Sequence, residues 1–166
     1  MEIERKWMVN GWPEGLTPYK TEMMSQGYLH ADVPTVRIRR EEEVGGHTEY
    51  ILCIKSKGRL SREEIEIKIS VEQYESLKTI IGYPLIEKER RTYHLKDGMN
   101  LEVNHVDEGL KSEFWYAEVE YESEEQARNW NPEDVNLGAY LHDDVTEKPG
   151  QSMAAYWSFT RLKNTD

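Results

Sequence analysis

The chain has 166 residues, enough for one domain with a sizeable core, and its 32 acidic and 21 basic side chains give a net charge of −11. That surplus repels phosphate backbones and anionic bilayers, which argues against general nucleic-acid or membrane-surface binding and requires any phosphate site to be local. Cys53 stands alone, so no disulfide framework or cysteine metal motif is expected; with an acidic start and no apolar run of the ~20 residues a membrane span needs, the expected compartment is the cytoplasm.

The first element, Met1-Glu-Ile-Glu-Arg-Lys-Trp-Met8, reads as a strand. Side chains alternate faces along a strand, so Glu2, Glu4 and Lys6 share one side while Ile3 and Trp7 lie on the other. The Gly- and Pro-punctuated stretch 10–18 reads as a loop. Seven more strands are expected over 22–30, 35–42, 47–56, 62–69, 85–96, 100–106 and 114–121. Gly45-Gly46 and Asp97-Gly98 mark turns between them, the second a strong hairpin cue.

A helix is expected over 70–81: Ser70 and Gln73 form a capping pair, Val71, Tyr74, Leu77 and Ile81 recur at helical spacing, and Gly82 stops it. A shorter one over 123–130 opens with Ser123 and has Gln126 three residues on. The tail after Pro149-Gly150 predicts a third over 152–159, its Met153, Tyr156 and Trp157 serving as core or as a cap over one barrel end. Asp143 and Asp144 read as turn-fixing residues, and the five Trp as outer packing and exposed edges. With no repeat and no linker, the expectation is one domain over 1–166.

The polar faces of the strands carry the functional argument. Arg37 and Arg39 share a face, Lys55 ends an apolar run, and Glu64-Ile-Glu66-Ile-Lys68 copies the order of the opening strand. Lys88 with Arg90, Glu102 with Asn104, and Glu118 with Glu120 repeat the two-residue spacing. Any one of these is satisfied by a water-facing strand with solvating charges. Together they differ from random solvation, because cations and carboxylates are segregated strand by strand.

A closed sheet accounts for this. The expected fold is mainly β with flanking helices, an eight-stranded antiparallel barrel whose charged side chains point inward and form a tunnel. Ile3, Val36, Ile38, Ile65, Ile67 and Val119 would then face outward beneath the helices. Buried charges are tolerated only when paired, hydrated or bound to ligand, so the expected guest is a polyanion gripped by Arg and Lys, with a divalent cation bridging it to the carboxylates. Reversing the faces would give a plain barrel with an apolar lumen.

These residues resemble the CYTH domain, or triphosphate tunnel metalloenzyme, family over nearly the whole chain. Glu2-x-Glu4-x-Lys6 matches the family's N-terminal signature. Gln26-Gly-Tyr-Leu29, Val36-Arg-Ile-Arg39, Lys55, Leu60-Ser-Arg62 leading into Glu64-Ile-Glu66, Lys88-Glu-Arg90, Ala117-Glu-Val-Glu120 and Asp144-Val-Thr146 follow in family order. Asn104 departs from the pattern, standing where relatives often carry an acid, which leaves open whether it or Asp107 takes part in the site.

The resemblance implies a tunnel that hydrolyses or cyclises a triphosphate with Mg²⁺ or Mn²⁺. On that basis Glu2, Glu4, Glu118 and Glu120 look like metal ligands, and Glu64 and Glu66 like a further acidic wall. Lys6, Arg37, Arg39, Lys55, Lys88 and Arg90 look like the phosphate cradle, with Glu4, Lys88 and Arg90 nearest the chemistry. The expected activity is hydrolysis of inorganic triphosphate to pyrophosphate and phosphate. A class IV adenylyl cyclase or a thiamine or nucleoside triphosphatase on the same scaffold is the alternative, and a polyphosphate-binding module the non-enzymatic one. The oligomeric state is open, a homodimer included.

Overall fold

The computed structural model describes residues 1–163, so the last three residues of the expected 1–166 domain lie outside it. Its main elements are β1 (Glu2–Val9), β2 (Lys20–His30), β3 (Thr35–Glu43), β4 (Thr48–Lys55), β5 (Ser61–Arg62), β6 (Glu64–Lys68), α1 (Val71–Ile81), β7 (Ile86–His94), β8 (Asn100–Val106), β9 (Phe114–Glu120), α2 (Glu124–Asn129), β10 (Asp143–Asp144) and α3 (Met153–Trp157). A 3₁₀ turn covers Pro132–Val135 and a π turn, Ser158–Leu162, continues α3.

The strands pair antiparallel in the order β10-β1-β9-β8-β7-β2-β3-β4-β6. The expected fifth strand is broken at Glu63, and that break closes the wall. β6 pairs with β4 while β5, one residue earlier, pairs with β1 through Glu2–Arg62 and Ile3–Ser61. A single short segment therefore bridges the two ends of the sheet. β10 was not expected as a strand: Asp143 and Asp144 lie beside Met8 and Trp7, so the same residues that shape the turn at Thr146 also cover the far end of the β1 edge.

Alternation along these strands sorts the side chains. Outside, Trp7, Leu101, Val103 and Val119 pack beneath α2 and the 132–141 segment through Ala127, Val135, Leu137 and Leu141. On the neighbouring face α1 is held by its capping box, with Gln73 N–H donating to Ser70 Oγ (3.1 Å) and Ser70 N–H to Gln73 Oε1 (2.9 Å), and it ends at Gly82 in the left-handed region. Tyr74 and Ile81 of α1 bury against Ile38 and Trp157. Gly27 permits this approach, since a Cβ there would fall 2.5 Å from Leu85 and 3.3 Å from Trp157.

Of the six aliphatic residues expected to face outward beneath helices, Ile3, Ile38 and Val119 are buried, Val36 is half-buried, and Ile65 and Ile67 are exposed at 58% and 49%. β6 lies at the end of the strand order. The Trp residues pack outside the wall as expected, although Trp7 and Trp157 are fully buried rather than at an exposed edge.

Candidate active site

The inward face encloses a cavity of about 510 Å³. All twelve residues singled out from the sequence line it: Glu2, Glu4 and Lys6 from β1, Arg37 and Arg39 from β3, Lys55 from β4, Glu64 and Glu66 from β6, Lys88 and Arg90 from β7, and Glu118 and Glu120 from β9. The strand order divides them into two walls. β3, β2 and β7 are consecutive and carry Arg37, Arg39, Lys88 and Arg90; β9, β1 and the β5–β6 segment are consecutive and carry the carboxylates.

The basic wall is incompletely neutralised. Lys88 is 3% exposed and its Nζ donates to the Tyr116 hydroxyl at 2.8 Å. Burial, and then Arg90, Arg39 and Arg37, hold its ammonium well below the usual lysine range. Arg37 is buried with no hydrogen-bond partner for Nε among the described residues. Arg39 leans on Glu41 (2.8 Å from Nε), and Arg90 reaches Asn104 Oδ1 at 2.9 Å and Glu102 at 3.2 Å. A guanidinium whose donors are only partly used inside a cavity is suited to bidentate contact with an oxyanion.

On the acidic wall like charges meet. Burial raises the Glu4 carboxyl far above the carboxylate range, and Glu118, hydrogen-bonded to it, pushes the same way. Glu118 is correspondingly lowered: burial opposes ionisation, but the hydrogen bond from Glu4 and the charges of Lys6, Arg90 and Lys88 outweigh it. Glu2 and Glu64 repeat the arrangement. Burial and the hydrogen bond to Glu2 lift Glu64 to about 7, while Lys55, Glu64 and Arg62 overcome burial to bring Glu2 to about 2. Two carboxylate pairs that each hold a proton between them are oxygen donor sets suited to a hard divalent cation. Cys53, Glu64 and Glu66 also bring donor atoms within 4.8 Å of one another, but a thiol is a poor ligand for Mg²⁺ or Mn²⁺.

Lys55 and Arg62 stitch the walls together. Lys55 Nζ lies 3.1 Å from Glu2 and 3.2 Å from Glu64, and Arg62 lies 3.0 Å from Glu2 and 3.7 Å from Glu4. Lys6 donates to the Gln151 carbonyl and sits 4.4 Å from the Tyr116 ring centre. Arg62 and Glu102, quoted in the motifs above but given no role, line the cavity as well, as do Tyr28, Cys53 and Tyr116. Arg62 could have been found by the same two-residue spacing, since it precedes Glu64 by two. The tyrosines carried no such signal, because an aromatic at strand period reads as core.

The open question about Asp107 is answered by its partners. It is 4% exposed, caps the start of β7 by accepting from the Glu87 N–H (3.1 Å), and takes Arg161 at 2.6 Å and Tyr156 at 2.6 Å. It fastens the C-terminal segment and does not line the cavity. Asn104 is fully buried behind Arg90, which it orients through Oδ1. Of the tail residues read as core or cap, Met153 lines the cavity, whereas Tyr156 and Trp157 pack away from it.

A scan against protein-family models finds no match. The chain is 36% identical over 146 residues to an inorganic triphosphatase of Nitrosomonas europaea, covering 88% of this chain and 89% of that one. Among solved structures, an inorganic triphosphatase crystal structure superposes with a TM-score of 0.61 at 30% identity, covering 94% and 93% of the two chains. A candidate adenylyl cyclase from Hippeastrum, described as having a dominant triphosphatase activity, gives a TM-score of 0.68 at 17% identity with 96% of each chain covered, which speaks for the fold alone. No helix among the described residues is long and apolar enough to cross a membrane.

Proposed function

The chain belongs to the CYTH family of triphosphate tunnel proteins, and from that premise we propose that it hydrolyses inorganic triphosphate to pyrophosphate and phosphate within the tunnel. The observation that carries this reading is the facing of two walls, four cations on β3 and β7 against the carboxylates of β1, β9 and β6, across one cavity. Phosphoryl transfer asks a protein mainly to position the phosphates and neutralise their charge. Arg37, Arg39 and Arg90 grip oxygens in pairs, and Lys88 and Lys55 act as point charges. Lys6, facing Glu118 across the strand pair, extends the cradle toward the acidic wall.

A divalent cation, Mg²⁺ or Mn²⁺, would be held by Glu2, Glu4, Glu118 and Glu120, with Glu64 and Glu66 beside it, and would supply charge neutralisation and a more acidic bound water. The chain's own groups divide the work of the reaction. Cations grip the pyrophosphate portion as it leaves, and the carboxylates accept the proton that the attacking water gives up. With a single buried Cys53 and a small anionic substrate, the cytoplasm remains the proposed compartment.

The test is phosphate release from triphosphate, ATP and thiamine triphosphate with Mg²⁺, Mn²⁺ or EDTA. Metal-dependent turnover of triphosphate in preference to the others is expected. Cyclic AMP formation would move the assignment to a cyclase, and saturable binding without turnover would leave a polyphosphate-binding module. Glu4→Gln is expected to abolish turnover and weaken Mn²⁺ binding measured by electron paramagnetic resonance; unchanged behaviour in both would remove Glu4 from the metal site.

A further inference from the structure

The tunnel has two mouths of opposite charge. The 510 Å³ cavity opens between the β4–β5 loop and the segment after β10, where Lys57, Arg59 and Lys148 line it and the loops themselves contribute no lining carboxylate among the described residues. All three side chains are exposed. Arg59 donates to the Glu147 carbonyl at 3.1 Å, tying the two loops into one rim. Lys148 has a loose, solvent-exposed pairing with Asp143 at 3.7 Å, and Lys57 is in no ion pair among the described residues. At the opposite end a second cavity of about 340 Å³ shares Glu102 and Glu120 with the first, adds Glu122, and has Lys20 as its one lining cation.

On a chain of net charge −11 such a rim is a local reversal of sign. A low-dielectric channel focuses the field of its mouth, so an approaching polyanion is drawn to one end and repelled from the other. We propose that Lys57, Arg59 and Lys148 form the entrance and exit for linear polyphosphate, steering it into the cradle, while the mouth bearing Glu102, Glu120 and Glu122 excludes anions. This rests on the triphosphate reading above. None of the three rim residues belongs to the motifs of the first subsection.

The experiment reverses the rim charges in Lys57→Glu/Arg59→Glu/Lys148→Glu and compares it with the matching triple Gln variant and with Glu122→Lys. Turnover of inorganic triphosphate is measured at low and at high salt, and its Kd is measured calorimetrically in EDTA, a readout that needs no turnover. The Glu triple is expected to lose about tenfold or more in kcat/KM and in affinity at low salt, with most of the loss disappearing at high salt and kcat unchanged. The Gln triple should fall between it and the parent, and Glu122→Lys should leave both quantities within about twofold. Rim variants that bind and turn over triphosphate like the parent, or lose equally at both salts, overturn the inference, as does an increase in kcat/KM with Glu122→Lys that exceeds the rim effect. A parent that binds triphosphate through the rim without hydrolysing it would refute the reaction and leave the entrance standing.

Discussion

Lys88→Met tests whether the basic wall is held at the expense of stability. The ammonium is 3% exposed and has three guanidiniums on neighbouring positions of the wall. Replacing a buried charge by an apolar side chain of similar length is stabilising by ~1–4 kcal/mol. The Tyr116 hydroxyl, which loses its 2.8 Å partner, takes back ~1 kcal/mol. A net gain of up to ~3 kcal/mol raises Tm by as much as roughly 12 °C for a chain of this size. Toward a bound phosphate the sign reverses. A unit charge pair at ~4 Å is attractive by ~4 kcal/mol at an effective dielectric of ~20, and a charge-assisted hydrogen bond retains ~2–3 kcal/mol of it net, so triphosphate affinity should fall about 30- to 150-fold. Thermal melts in EDTA, with and without triphosphate, together with titration calorimetry, read both effects: the variant melts higher alone and gains less from ligand. A Tm several degrees below the parent without ligand, or equal ligand-induced shifts in the two proteins, would refute the reasoning.

The pH response follows from the paired carboxyls. Glu64 titrates near 7 in the fold against an ordinary 4.5, so between those values the native state holds a proton that the unfolded chain has released, and stability from this group falls as pH rises through the window. Glu2, brought to about 2, acts in the opposite sense only below pH 4.5. Tm in EDTA should therefore decline from pH 5 to 7.5 more steeply in the parent than in Glu64→Gln, and identical slopes would contradict the assignment. Arg161→Met leaves the buried Asp107 carboxylate without its cation and should cost ~3–5 kcal/mol in denaturant unfolding. Adding Asp107→Asn to that variant should recover part of the loss, and a double variant no better than the single one would show that the pair itself is not the anchor.

The tunnel was legible because its signal is local. A charged residue at every second position of β1, β3, β6, β7 and β9 is a face that the chain itself writes out, and pleat geometry turns it inward or outward as a set. The choice of inward came from the segregation of signs, and Arg37, Arg39, Lys88 and Arg90 do share one arc of the wall. What depends on contacts across the chain was not legible. The β5–β6 break that closes the barrel is set by where Ser61 and Arg62 meet β1, some 60 residues away in sequence. The Asp107–Arg161 pair joins positions 54 apart, and nothing in the local pattern of either residue predicts it. Ile65 and Ile67 alternate like core residues, yet they stay exposed on the last strand of the sheet order; periodicity reports that a face is apolar without saying what packs on it.

The charges of the cavity explain how an acidic chain can hold the proposed phosphate cradle. Its strands contribute Lys6, Arg37, Arg39, Lys55, Arg62, Lys88 and Arg90 on one side of the ledger and Glu2, Glu4, Glu64, Glu66, Glu102, Glu118 and Glu120 on the other, equal in number. Pairing all of them would neutralise the tunnel and leave no grip on a ligand. Instead Lys55 and Arg62 are spent on Glu2, Glu64 and Glu4, while Arg37 and Lys88, on the far wall, have no carboxylate within ion-pair distance among the described residues. Burial, and after it the neighbouring carboxylates, hold Glu4, Glu64 and Glu120 above the ordinary carboxylate range. Each wall is thus short of the charge that the other holds out of reach. A polyanion supplies one deficit and a divalent cation the other, so each should bind more tightly when the other is present, and a triphosphate affinity indifferent to Mg²⁺ would contradict the separation of the walls.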